Sequence, residues 1–60
     1  MTRQELEAEL RARLVREYKL IRESQAAREA GEDCDPIEHA ITVNGERIDF
    51  IQARLQQASV

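Results

Sequence analysis

The sequence predicts a mainly α, α+β protein: a long N-terminal helix, an acidic elbow, a short β-hairpin and a short C-terminal helix. Three observations carry that reading. Residues 1–30 contain no Gly or Pro and are rich in Ala, Leu, Glu, Arg and Gln, all strong helix formers. Asn44-Gly45, the dipeptide preferred in two-residue hairpin turns, is flanked by β-branched residues. Asp49 and Gln52 then open a segment in which Ile48, Ile51, Leu55 and Ala58 recur at helical spacing. With 60 residues the chain holds one small domain, divided into a helix at about 2–30, an elbow at 31–39, a hairpin at 40–48 and a helix at 49–58.

The first helix has a clear start and stop. Thr2 and Glu5 have the spacing of a capping box, and Gly31 can take the left-handed conformation that ends helices. Leu6, Leu10, Leu14, Tyr18 and Ile21 mark an apolar stripe, spaced 4, 4, 4 and 3. A shallower stripe of small residues includes Ala26 and Ala30, where another helix could approach closely. Residues 22–30 have no large apolar anchor, so the order of that stretch is expected to come from a partner. A helix of this length spans about 42 Å, whereas a compact domain of 60 residues has a radius of gyration of about 10 Å. The other half of the chain is too small to cover both stripes.

After Gly31 comes the acidic connector, with Glu32, Asp33 and Asp35. Asp35-Pro36-Ile37-Glu38 has the pattern of a short helix start, with Asp35 as cap and Pro36 in the first position. In the hairpin, Ile41, Val43 and Ile48 would share one face, with Gly45 at positive φ in the turn. A competing reading starts the last helix straight after Gly45 and leaves 40–43 extended.

Charge is uneven. Residues 1–30 carry 7 basic and 6 acidic groups, a net of +1, and residues 31–60 carry 2 and 6, a net of −4. Within the first helix Arg11, Arg13, Arg16, Lys19 and Arg22 oppose only Glu17. A basic middle and an acidic elbow could pair between subunits and set their register.

The chemistry for catalysis is sparse. Cys34 and His39 lie five residues apart with Asp35 and Glu38 between them, which falls short of a zinc ligand set or of a nucleophile with its base and oxyanion hole. No cofactor, metal site or enzymatic activity is expected. Direct nucleic-acid binding is not expected either: the pI is near 5.0, and only Tyr18 and Phe50 could stack on bases. No apolar run approaches the roughly 18 residues of a membrane span, and no signal segment opens the chain. A single Cys points to a reducing setting. The expected place is therefore a virion or the host cytoplasm, neither secreted nor in a membrane.

Met1 to Leu6, followed by a polar amphipathic helix, the Thr42–Ile48 hairpin and a capped helix with Ile51 and Leu55, resembles the small head–tail joining proteins of lambda-like phages, the protein W family. The resemblance covers the first five or six residues and about 16 residues from Thr42 to Gln57. It implies two helices with a β-hairpin and a ring-forming virion component with no enzymatic role. The longer first helix, the acidic elbow and the absence of a basic tail depart from that pattern.

The function expected is thus a non-enzymatic structural or interaction subunit of a symmetric assembly, such as a phage head–tail connector component. Its partners would be proteins, as a homo-oligomer or ring. The expected interface residues are Leu10, Leu14, Tyr18, Ile21, Ala26, Ala30, Arg11, Arg16, Asp33 and Asp35. The alternative is a small acidic inhibitor or adaptor, such as an anti-host factor or antitoxin, that docks through its elbow.

Overall fold

A computed structural model describes residues 1–58 as two helices, α1 (Arg3–Glu29) and α2 (Asp35–Ala58). They run antiparallel: Glu9 meets Arg47, Arg13 meets Asn44, and Arg28 meets Glu38. The body is a rod of 47 × 14 × 14 Å, two helices thick.

Both ends of α1 follow from local chemistry. Thr2 Oγ1 accepts from the Glu5 amide at 3.1 Å while Glu5 Oε1 accepts from the Thr2 amide at 3.4 Å, so the capping box is complete. At the other end the Glu32 amide donates to Ala27 O and the Gly31 amide to Arg28 O. Gly31 stands at φ 73°. This is a Schellman closure, and the left-handed residue within it favours glycine.

α2 starts one residue earlier than a cap at Asp35 would place it. The Glu38 amide donates to Cys34 O at 2.8 Å, and Asp33 Oδ1 accepts from the Asp35 amide at 3.0 Å. Asp33 is therefore the carboxylate that satisfies the entry to the helix.

The β-hairpin expected at 40–48 is not formed, and the protein is an all-α helical hairpin, not α+β. Residues 40–48 continue α2 without a break, so the last helix is 35–58 in place of 49–58. The extended 40–43 segment of the competing reading is also absent. Ile37, Ile41, Asn44, Ile48, Ile51 and Leu55 alternate by four and three, a repeat that keeps one stripe facing a partner helix. A hairpin would bury only Ile41, Val43 and Ile48 with little to cover them; in the helix Ile48 and Ile51 are buried, and Val43 is exposed. Gly45 lies inside the helix, and Gly31 is the residue found at positive φ among those described. The α+β fold implied by the resemblance to the head–tail joining proteins is not the fold of this chain. The side chain of Ala58, read as part of the C-terminal stripe, lies outside the described residues.

The seam on α1 also differs from the apolar stripe of the sequence. Leu6, Leu20, Ser24 and Ala27 are buried, and Leu10, Arg13 and Glu17 are half-buried between them. Those seven positions alternate by four and three along the helix. The stripe Leu6–Leu10–Leu14–Tyr18 advances by four each time, which rotates it about 40° per step. It leaves the seam after Leu10. Ser24 and Ala27 anchor residues 22–30 against α2, so that stretch is packed within the chain itself.

Candidate functional site

The middle of the seam is polar. Asn44 is 2% exposed. Its Nδ2 donates to Arg13 O at 2.9 Å and to Glu17 Oε2 at 3.0 Å, and its Oδ1 accepts from Arg13 Nη1 at 3.2 Å. Both ends of this amide are matched, and among the described residues no buried polar side-chain atom lacks a partner. A buried Asn matched in this way pins the register between two helices. The layer is structural: its groups are turned toward one another.

Two ion pairs cross the seam. Arg47 reaches Glu9 with two parallel bonds, Nε to Oε2 at 2.9 Å and Nη2 to Oε1 at 3.0 Å. That fork holds the Glu9 carboxyl below its ordinary range and the Arg47 guanidinium above its own. Arg28 Nη2 donates to Glu38 Oε1 at 2.8 Å, which raises the Arg28 guanidinium in turn.

The expected interface residues do not form one site. Leu14, Tyr18 and Ile21 are 48%, 61% and 43% exposed. They lie within about 60° of one another around α1, with half-buried Leu10 at their inner edge. Arg11 borders them. Arg16, Ala26 and Ala30 are exposed on other parts of the α1 circumference. Asp33 and Asp35 sit at the closed end, about 25 Å along the axis from Leu14. Asp33 already serves the start of α2.

Elsewhere the surface offers little chemistry. Ligand atoms of Cys34, Asp35 and Glu38 lie within 4.8 Å of one another, but Glu38 is held by Arg28 and also accepts from Cys34 Sγ at 3.5 Å. A guanidinium already occupies the place where a cation would bind. His39 is exposed and outside that group. A shallow depression of about 260 Å³ on the back of α1, beside Ala12, Val15, Lys19 and Leu20, is built from that helix alone. No helix among the described residues is long and apolar enough to cross a membrane.

One surface feature was not legible in the sequence. Phe50 is half exposed, and two guanidinium groups lie over its ring, Arg47 at 5.0 Å and Arg54 at 5.8 Å. Its spacing from these residues, three before and four after, is a helical signal that the hairpin reading obscured.

No protein-family model, curated protein or solved structure matches the chain.

Proposed function

We propose that this protein is a non-enzymatic interaction subunit of a symmetric assembly. The observation that carries the reading is the cluster of Leu14, Tyr18 and Ile21, three large apolar side chains left about half exposed because the only other helix among the described residues packs on a different stripe. Apolar side chains gathered on one surface mark a contact with another molecule. The acidic connection adds no second reading, because Asp33 caps α2 and Glu38 is paired with Arg28. A phage particle as the setting rests on the resemblance of residues 1–6 and 42–57 alone, and portal and terminase genes beside this one would support it.

The test is fractionation of the protein from its native source at its native level. The expected result is co-fractionation in an assembly heavier than the free chain, at a copy number fixed across preparations. Recovery only as the free chain overturns the proposal.

A further inference from the structure

The two flanks of the hairpin differ, and the difference shows which of them is open. The Arg28–Glu38 pair marks one flank. Leu14, Ile21 and Arg28 recur every seven residues on α1, and Glu38 and Gly45 do so on α2, so each series stays on one side with only about 20° of drift per repeat. The 2.8 Å bond between Arg28 and Glu38 places both series on the same side of the rod. That flank gathers Leu10, Leu14, Tyr18 and Ile21 from α1 with Ile41 and Gly45 from α2. The opposite flank is marked by Glu9 and Arg47; its apolar residues, Val43 and Phe50, are about half exposed, with Arg47 and Arg54 over the Phe50 ring. The Glu9–Arg47 fork closes that flank by charge, and the other, where Arg22 lies over the Tyr18 ring at 5.7 Å, gathers the larger set of apolar side chains and is open.

Resting on the reading above, we propose that a second copy of this chain covers the open flank, with α1 of each copy lying on α2 of the other in a four-helix bundle. The surface area fits that occupant. A compact protein of this mass exposes about 4,000 Å², whereas this chain exposes 4645 Å². The surplus of about 650 Å² is close to the roughly 800 Å² that each partner contributes to an ordinary specific interface. The shape fits as well. A radius of gyration of 14.0 Å stands against about 10 Å for a compact chain of this length, and two rods side by side remove much of that asymmetry. α1 and α2 span 27 and 24 residues, so exchanging which helix faces which leaves little overhang. Gly45, without a side chain, leaves a notch in the face for a large residue of the other copy.

Charge selects the pairing. Residues 11–22 of α1 carry five basic groups and one acidic, while 35–49 of α2 carry four acidic and one basic. α1 on α1 would bring like charges together, and α1 on α2 brings opposite ones. Arg11 and Arg22 border the open flank on α1, and Asp49 borders it on α2, beyond Glu38, which Arg28 of the same chain already holds.

Sedimentation of the purified 60-residue chain from about 1 to 100 µM tests the proposal. The expected species has twice the 6.9 kDa chain mass. Leu14→Glu should give a helical monomer, and Leu14→Ala, which adds no charge, should weaken association at least tenfold. Phe50→Glu, on the closed flank, should leave the dimer in place. Reversing Arg11 and Arg22 together to Glu should weaken association at low salt and less so at high salt; stronger association would mean that α1 faces α1 and would overturn the pairing. A wild-type chain that is a folded monomer at 100 µM overturns self-association, as does a dimer lost in Phe50→Glu but kept in Leu14→Glu. A monomer in these measurements that still co-fractionates with a large native particle would remove the second copy and leave the interaction-subunit reading intact.

Discussion

The two helices use their apolar residues differently. On α2, Ile48 and Ile51 are 8% and 0% exposed, and every third or fourth residue from Ile37 to Leu55 faces α1. On α1, Leu14, Tyr18 and Ile21 stand outside the seam, which is continued by Arg13, Glu17, Ser24 and Ala27. α2 keeps its isoleucines on one stripe against α1 and leaves Val43 and Phe50 about half exposed. α1 has α2 on one stripe and a second stripe unclaimed. The comparison teaches that spacing matters more than content: a run at four-residue steps winds around the helix, and only alternation of three and four stays under a straight neighbour.

The largest expected effect comes from the buried stripe of α2. Ile51→Ala should cost about 2–5 kcal/mol, read as loss of helical circular dichroism in thermal or urea melts; an unchanged melt would show that the core lies elsewhere. Next comes the polar layer between the helices. Asn44→Ala removes the partner of the Glu17 carboxylate and of the Arg13 guanidinium and should cost about 1–3 kcal/mol. Gly45→Ala should act in the opposite direction. A Cβ there would meet only Glu17 Oε2, at 3.9 Å, so the better helix former should stabilise by about 0.5–1 kcal/mol. A lower melting temperature at dilutions where the chain is monomeric would contradict the helical placement of 44–45.

The unclaimed stripe should respond weakly by comparison. At dilutions where the chain is monomeric, Leu14→Ala should change stability by no more than about 0.5 kcal/mol, and a cost like that of Ile51→Ala would erase the contrast between the helices. The smallest effect is expected from the ion pair on the closed flank. The Arg47 fork lowers the Glu9 carboxyl pKa, so its contribution is present at neutral pH and fades only as the pH falls through that lowered value, below the ordinary 4.5. Glu9→Gln should therefore flatten the acid limb of stability against pH and leave its neutral and basic range little changed in shape.

The first helix was legible because its signals are local: Thr2 with Glu5 at one end and Gly31 at the other. The second was legible only from Asp49 on; its first half was lost to a local signal that tertiary packing overrides. Asn44-Gly45 between β-branched residues favours a turn in isolation, but Asn44 gains three hydrogen bonds across the seam, and the helix lets Ile37, Ile41, Ile48 and Ile51 share one stripe. A polar residue in the middle of that stripe hid the repeat from a count of apolar positions. Leu14, Tyr18 and Ile21 could be named from sequence, but their exposure could not, because it depends on which stripe α2 occupies.

The five residues between the helices, 30–34, bear on how the protein folds. A short connection makes pairing at the closed end kinetically easy, but that end offers only small or polar residues on α1, Ser24 and Ala27. The large side chains lie at the open end, where the Glu9–Arg47 register brings Leu6 level with Ile51. Joining those two without the intervening contacts closes a loop roughly nine times longer, at about 2 kcal/mol of additional chain entropy. Entropy favours starting at one end of the rod and burial rewards finishing at the other. Partly zipped hairpins therefore gain little, and the chain should melt in a single cooperative step with no gradual fraying from the open end.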